Sequence, residues 1–253
     1  MQRPVPQRFP RFLKSGEIAY ICFRFAVSEK SAEMAKIIIS GYGRMGHMIE
    51  EVLRERGLEL VEASEDVCGI APEVARECVC IDFTTPEAFR ANYRHLAENF
   101  KAVVVGTTGW NDIRDEVLAC FERCGTPMIY SSNYSIGVNA VFAALERISG
   151  ILKGNGYTPS IEETHHVHKL DAPSGTARTM GEIVSRGLGV EPDIKSYRIG
   201  EVPGTHVAQF LSGVDKITVT HEAFSRKGFA EGAVVAALMT EGLSGVHSFS
   251  ELI

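Results

Sequence analysis

An apolar run, Lys36-Ile-Ile-Ile-Ser40, leads into a glycine-rich turn, Gly41-Tyr-Gly-Arg-Met-Gly46, and the turn into a segment of helical periodicity that continues to about Arg56. Between a buried strand and a helix, Gly-x-Gly-x-x-Gly permits a tight turn, close approach of the backbone to a pyrophosphate and close helix–strand contact. The next strand, Leu58-Glu-Leu-Val-Glu-Ala63, is followed by Glu65, nineteen residues after Gly46, near the position where a carboxylate holds an adenosine ribose. A glycine turn in a sheet protein that binds no nucleotide is the competing reading of this stretch by itself.

The alternation continues beyond Glu65. Residues 78–83, 102–105 and 127–130 read as strands, and 86–98 and 113–123 as helices, with Pro86 suited to a first helical position. This predicts a parallel doubly wound sheet, an α/β Rossmann-like domain. Ligands of such sheets bind beyond the carboxyl ends of the strands. Gly106, Thr107 and Thr108, and then Ser131, Ser132, Asn133 and Tyr134, fall at such ends. Gly106-Thr-Thr-Gly109 can also be read as no more than a loop with a helix cap. After Asn133 a long helix is expected over 136–153, strands over 160–165, 194–199, 206–211 and 216–221, and helices over 176–184 and 229–240. Short strands joined by turns suggest a smaller α+β domain with a mixed open sheet.

The densest chemistry lies in Glu163-Thr-His-His-Val-His-Lys-Leu-Asp-Ala-Pro-Ser-Gly-Thr176, where three histidines, one lysine and two carboxylates fall within nine residues. Histidine moves a proton near neutral pH, and lysine binds an anion or donates a proton. Ser174 can cap the helix that follows, and the backbone N–H groups of Ser174, Gly175 and Thr176 would then form an anion cradle facing the loop. A histidine metal cluster is an alternative. No Cys-x-x-Cys or His-Glu-x-x-His accompanies it, and a strand-to-loop path splays adjacent histidines apart, so no metal is expected. A merely solvated polar loop is the third reading.

Composition narrows the classes. The net charge of −6 argues against a nucleic-acid partner. No apolar run reaches the roughly 20 residues that span a bilayer, so no membrane association is expected. Six cysteines without Cys-x-x-Cys spacing fit reduced thiols in a cytoplasmic enzyme. Residues 1–33 differ from the rest: six basic and three acidic residues give +3, which leaves −9 for the remainder. Their apolar stretch is broken by Arg24 and followed by no Ala-x-Ala cleavage site, and Glu17, Glu29 and Glu33 argue against a transit peptide. The expectation is an upstream extension without fold or function, with Met34 as the natural start.

Taken together, residues 34–253 resemble the 4-hydroxy-tetrahydrodipicolinate reductase family, also called dihydrodipicolinate reductases. The resemblance rests on the glycine loop, Asp82-Phe-Thr, Gly106-Thr-Thr-Gly109, Asn133-Tyr-Ser-Ile-Gly137, the 163–176 stretch, Pro203-Gly204 with His206, and Ser225-Arg226 with Phe229-Ala230. The glycine loop is one residue shorter than in some members, and Tyr134 stands where many have Phe. The resemblance implies reduction of a cyclic imine dicarboxylate by NADH or NADPH in diaminopimelate and lysine biosynthesis. It implies His165 as catalytic acid/base, Lys169 as proton donor or orienting cation, and His166, Gly175 and Thr176, beside Ser174, as carboxylate ligands. Gly41, Tyr42, Gly43, Arg44, Met45 and Gly46 would hold the cofactor with Glu65, and Gly106–Thr108 and Ser131–Tyr134 would line its nicotinamide end. It also implies a homotetramer built through the second domain, and a last helix that returns to the first. The expected organisation is a dinucleotide-binding domain over 34–133 with 225–253 and a substrate-binding and oligomerisation domain over 134–224.

Two other classes stay open on the residues alone. One is a Rossmann amino-acid dehydrogenase acting on a non-cyclic substrate, and the other a nucleotide-binding regulator without turnover. The His-His-x-His-Lys cluster disfavours both.

Overall fold

The computed structural model describes residues 35–253; the expectation for residues 1–33, and Met34 as a start, lie outside the described residues. In chain order the elements are β1 (Lys36–Ser40), α1 (Arg44–Glu55), β2 (Glu59–Ser64), α2 (Pro72–Ala75), β3 (Cys78–Asp82), α3 (Pro86–Asn99), β4 (Ala102–Val105), α4 (Arg114–Cys124) and β5 (Met128–Tyr130). There follow α5 (Ile136–Leu152), β6 (Thr158–His165), α6 (Gly175–Leu188), β7 (Asp193–Arg198), β8 (Thr205–Leu211), β9 (Lys216–Glu222), α7 (Lys227–Met239), β10 (Val246–Ser248) and α8 (Phe249–Leu252).

Six strands form one sheet in the order β10-β5-β4-β3-β1-β2, and every pairing in it is parallel. The alternation of side chains along β1 explains why both faces need helices. Ile37 and Ile39 enter a core shared with Ile49, Val52 and Leu53 of α1 and Ala233, Val234 and Ala237 of α7. Ile38 points the other way, into a core with Phe89 and Leu96 of α3 and Val117 and Phe121 of α4. Because β2 lies on one side of β1 and β3 on the other, the chain direction switches between β1 and β3. That switch is where an open parallel sheet offers a crevice.

The second sheet runs β7-β6-β8-β9, with β6–β7 parallel and the other two pairings antiparallel. One of its faces packs Ile161, Ala208 and Phe210 against Leu145 of α5 and Met180 and Val184 of α6. The other face carries alternating polar and half-exposed residues. The expected strand–helix alternation and the mixed second sheet are both present. The elements not anticipated are the short helix α2 and, beyond β5, the strand β10 that extends the first sheet, with α8 behind it.

Three helix starts follow from local chemistry. Thr85, Ser135 and Ser174 each accept a hydrogen bond from the backbone three residues on, capping α3, α5 and α6. α1 is different. Its N-cap is Gly43, which has no side chain to bond the free N–H groups.

Candidate active site

The carboxyl edge of the first sheet gathers four loops. Gly41 has φ +87, and a Cβ there would lie 2.6 Å from the Phe83 carbonyl oxygen; a Cβ on Gly46 would lie 2.5 Å from the Gly41 oxygen. Both glycines are therefore needed for the turn itself. A Cβ on Gly43 would meet nothing within 4 Å, so the space over the α1 N-terminus is open. A helix start with uncapped N–H groups, a positive dipole end and clear space fits a pyrophosphate. Tyr42 donates to Glu50 and stacks near His47, which turns its ring along α1. Arg44 is exposed at the first helical position and Met45 is half-buried. Glu65 and Asp66, both exposed, stand just past Ser64 at the end of β2.

Asp82 ties these loops together, a role that the sequence reading did not assign. Its carboxylate is fully buried and accepts from Ser40 Oγ at 2.8 Å, from Thr84 Oγ1 at 3.1 Å and from Thr107. Burial raises its pKa, while the hydroxyl bonds pull the other way. Thr107 is thereby buried and fixed, and Thr108 beside it is exposed. Gly106 lies so close to Phe83 that a Cβ would come within 2.1 Å of the ring. Next to this loop a pocket of about 260 Å³ is lined by Thr107, Thr108, Trp110, Ser131, Ser132 and Ser248 among others. Tyr134, placed where a phenylalanine would serve for bulk, is buried, and its one hydroxyl proton is shared between the carbonyls of Val105 at the end of β4 and Ile129 within β5, 2.9 Å each.

Asn133 joins the two sheets. Its Nδ2 donates to Thr176 Oγ1 at 3.1 Å, while its Oδ1 accepts from Ser135 N at 2.9 Å. The carboxyl edge of the first sheet therefore meets the first turn of α6.

On the second sheet, Glu163 and His165 lie two residues apart on β6 and so share its helix-covered face. His165 Nδ1 contacts Glu163 Oε2. Glu163 Oε1 accepts from Arg198 Nη2 at 3.0 Å and from the Ser174 backbone N at 3.3 Å. Burial pushes the Glu163 carboxyl up, but Arg198 and His165 outweigh it and hold the group below the usual carboxylate range. For His165 burial also comes first and lowers its pKa; Glu163 opposes this, while Lys169 and Arg198 add to it. Lys169 Nζ pairs with Asp171 at 2.8 Å. His166 is half-buried, and His168 points outward near Glu201. Gly204 lies against His165, where a Cβ would be 3.0 Å from Nε2.

Ser174 differs from the expected cradle. Its N–H bonds Glu163, and its buried hydroxyl caps Ala177 N and meets His206 Nε2 at 3.1 Å. The serine closest to the buried carboxylate is drawn inward, which leaves Gly175, exposed, and Thr176, half-buried, to face the loop. His206 is buried, its ring 5.1 Å from that of His165, and burial lowers its pKa to about 4. Glu163, His165 and His206 offer donor atoms within 4.8 Å of one another, the one such group among the described residues. Both Glu163 oxygens are already engaged, one of them by a guanidinium, which favours an ion-paired carboxylate over a metal ligand. Neither Arg198 nor His206 belongs to the 163–176 stretch: Arg198 draws no notice in the sequence, and His206 stands out only beside Pro203-Gly204, without a role in the site.

Comparison with known proteins decides the family. Residues 35–134 match the model for "Dihydrodipicolinate reductase, N-terminus" and residues 137–253 the model for "Dihydrodipicolinate reductase, C-terminus". The chain belongs to the dihydrodipicolinate reductase family. A 4-hydroxy-tetrahydrodipicolinate reductase of Christiangramia forsetii is 36% identical over 231 residues, covering 86% of this chain and 97% of the relative. One from Akkermansia muciniphila is 33% identical over 244 residues, covering 87% and 98%. The fold is also that of a dipicolinate-bound dihydrodipicolinate reductase from Paenisporosarcina sp. TG-14, with a TM-score of 0.70 at 19% identity over 87% of this chain and all of that one. Members of this family use a pyridine nucleotide. No helix among the described residues is long and apolar enough to cross a membrane.

Proposed function

We infer that this chain reduces 4-hydroxy-tetrahydrodipicolinate to tetrahydrodipicolinate with NAD(P)H, a step of diaminopimelate and lysine biosynthesis. The observation that supports the chemistry most is the Asn133–Thr176 bond, which brings the carboxyl edge of the nucleotide-type sheet against the start of α6, the helix that follows His165 at the end of β6 and Lys169 in the loop after it.

The Gly41–Gly46 turn and the open α1 N-terminus hold the pyrophosphate, Glu65 the ribose, and Gly106–Thr108 with Ser131–Tyr134 the nicotinamide end. The bound cofactor supplies the hydride. The substrate's carboxylates lie against Lys169, His166 and the start of α6 at Gly175 and Thr176; Ser174 acts by capping that helix. The 4-hydroxyl leaves as water, which makes the imine conjugated; hydride addition to that imine leaves carbanion or enamine character that needs a proton, and His165 delivers it. No metal takes part.

Glu65 and Asp66 would repel a 2′-phosphate, and Arg44 is the nearby cation able to offset them. NADH is therefore preferred or both are used, with NADPH not strongly favoured. Glu65→Ala should weaken NADH binding and leave NADPH equal or better, and Arg44→Ala should hurt NADPH more. A wild-type preference for NADPH above about tenfold, roughly 1.4 kcal/mol, would contradict this.

Residues 34–133 with 225–253 form the cofactor unit and 134–224 the substrate and assembly unit of a cytoplasmic homotetramer. The test of the activity is to mix the protein with reduced nicotinamide and freshly generated 4-hydroxy-tetrahydrodipicolinate and follow loss of the reduced cofactor. Turnover is expected there, and none with amino acids and oxidised cofactor. The reverse pattern would favour an amino-acid dehydrogenase, and cofactor binding without turnover a regulator.

A further inference from the structure

We propose that Glu163 is the positioning residue of His165: its buried carboxylate, anchored by Arg198, fixes the imidazole so that Nε2 is the nitrogen that exchanges the proton. The proposal rests on the reading of His165 as the acid, and it adds how that acid is aimed.

Three observations carry it. Glu163 and His165 face the same way on β6, and the contact is made to Nδ1, so an ionised carboxylate there requires Nδ1 to carry hydrogen. Glu163 is completely buried, yet its other oxygen has two donors, Arg198 Nη2 and the Ser174 N–H. A buried carboxylate that accepts from a guanidinium and a backbone N–H remains ionised. Arg198, in turn, reaches the loop ahead of α6. Its Nη2 donates to the Asp171 carbonyl and its Nε to the Lys169 carbonyl at 3.2 Å. One carboxylate and one guanidinium thus tie together the proton donor, the lysine loop and the capped start of α6.

The charged and titratable groups that face His165 are Glu163 on its own strand, Lys169 from the loop, Arg198 from β7 and His206 from β8. Of these only Glu163 favours the imidazolium. Replacing it with neutral glutamine therefore moves the loss of activity on the alkaline side to lower pH, because the acid gives up its proton earlier.

The test uses the full chain. Glu163→Gln should lower kcat about 10²-fold, shift the alkaline limb of the kcat–pH profile downward, and leave the dissociation constant of the reduced cofactor unchanged. Glu163→Asp, which keeps the charge, should leave that limb where the wild type has it. In a His165→Ala background, Glu163→Gln should cost far less than it does in the wild type, since the positioning effect acts through the ring that is then missing. An equal additional loss there, or an unchanged pH profile in Glu163→Gln, would overturn the proposal. Near-normal turnover of His165→Ala alone would instead overturn the reading of His165, so the two failures are separable. Should the glutamine variant not fold, ¹⁵N resonances of the wild-type histidines decide. A neutral His165 protonated at Nδ1 is the expected result, and one protonated at Nε2 refutes the proposal.

Discussion

His206 shows how a residue can matter to the site without facing the reaction. Its ring is buried against Ser174 Oγ, and the folded protein keeps it neutral down to about 4, whereas the unfolded chain takes up a proton near 6.5. Between those values the unfolded state binds more protons, so stability falls as the pH drops through that window and levels off below about 4. The loss amounts to about 3 kcal/mol at most. Thermal or urea unfolding of wild type and His206→Gln from pH 7 to 4.5 should show a steeper acid decline in the wild type; parallel curves would contradict this. Burial lowers His165 and His221 in the same direction, so the comparison must be between the two proteins. The density of titratable groups marked the 163–176 stretch in the sequence, and the resemblance picked His165 and Lys169 out of it. What orients them was not legible there. Arg198 stands thirty-five residues beyond Glu163 and meets it only because β7 pairs with β6 in register, His165 opposite Arg198. Ser174 was legible as a helix cap, but its inward N–H depends on where Glu163 ends up.

At the scale of elements, two helix glycines make opposite predictions. Gly232 lies in α7, where a Cβ would come 1.7 Å from the Tyr134 carbonyl oxygen. Helix propensity favours alanine by about 1 kcal/mol, but forcing a methyl into backbone contact costs about 1–3 kcal/mol or more, so Gly232→Ala should destabilise. Gly150 in α5 is exposed, with nothing within 4 Å of its absent Cβ, and Gly150→Ala should stabilise by about 0.5–1 kcal/mol. Urea denaturation midpoints check both signs. Strand–helix alternation made the doubly wound sheet and the mixed second sheet readable, since apolar runs and turn residues are local signals. β10 left no such trace. It is three residues long, half-buried and polar in two of three positions, and it is a strand only because β5 offers a parallel edge. The loop-to-loop knot at Asp82 was hidden for a related reason: Ser40, Thr84 and Thr107 converge through three different strands.

At the scale of the molecule, the second sheet has one face covered by α5 and α6 and the other open, with Tyr197 42% and Leu211 55% exposed on it. Its outer strands, β7 and β9, leave edges that a neighbouring subunit can cover. Static light scattering at micromolar protein should return four times the chain mass of 27.7 kDa, and a stable monomer would contradict the assembly. The central claim concerns a division of labour: the first sheet holds the cofactor, and the end of β6 delivers the proton. The measurement that tests it most directly is turnover of His165→Ala and Lys169→Ala with 4-hydroxy-tetrahydrodipicolinate, beside each variant's dissociation constant for the reduced cofactor. The account predicts a fall in kcat of about 10²–10⁴-fold with cofactor affinity intact. Near-normal turnover in both variants, or a loss of activity explained by lost cofactor binding, would contradict it.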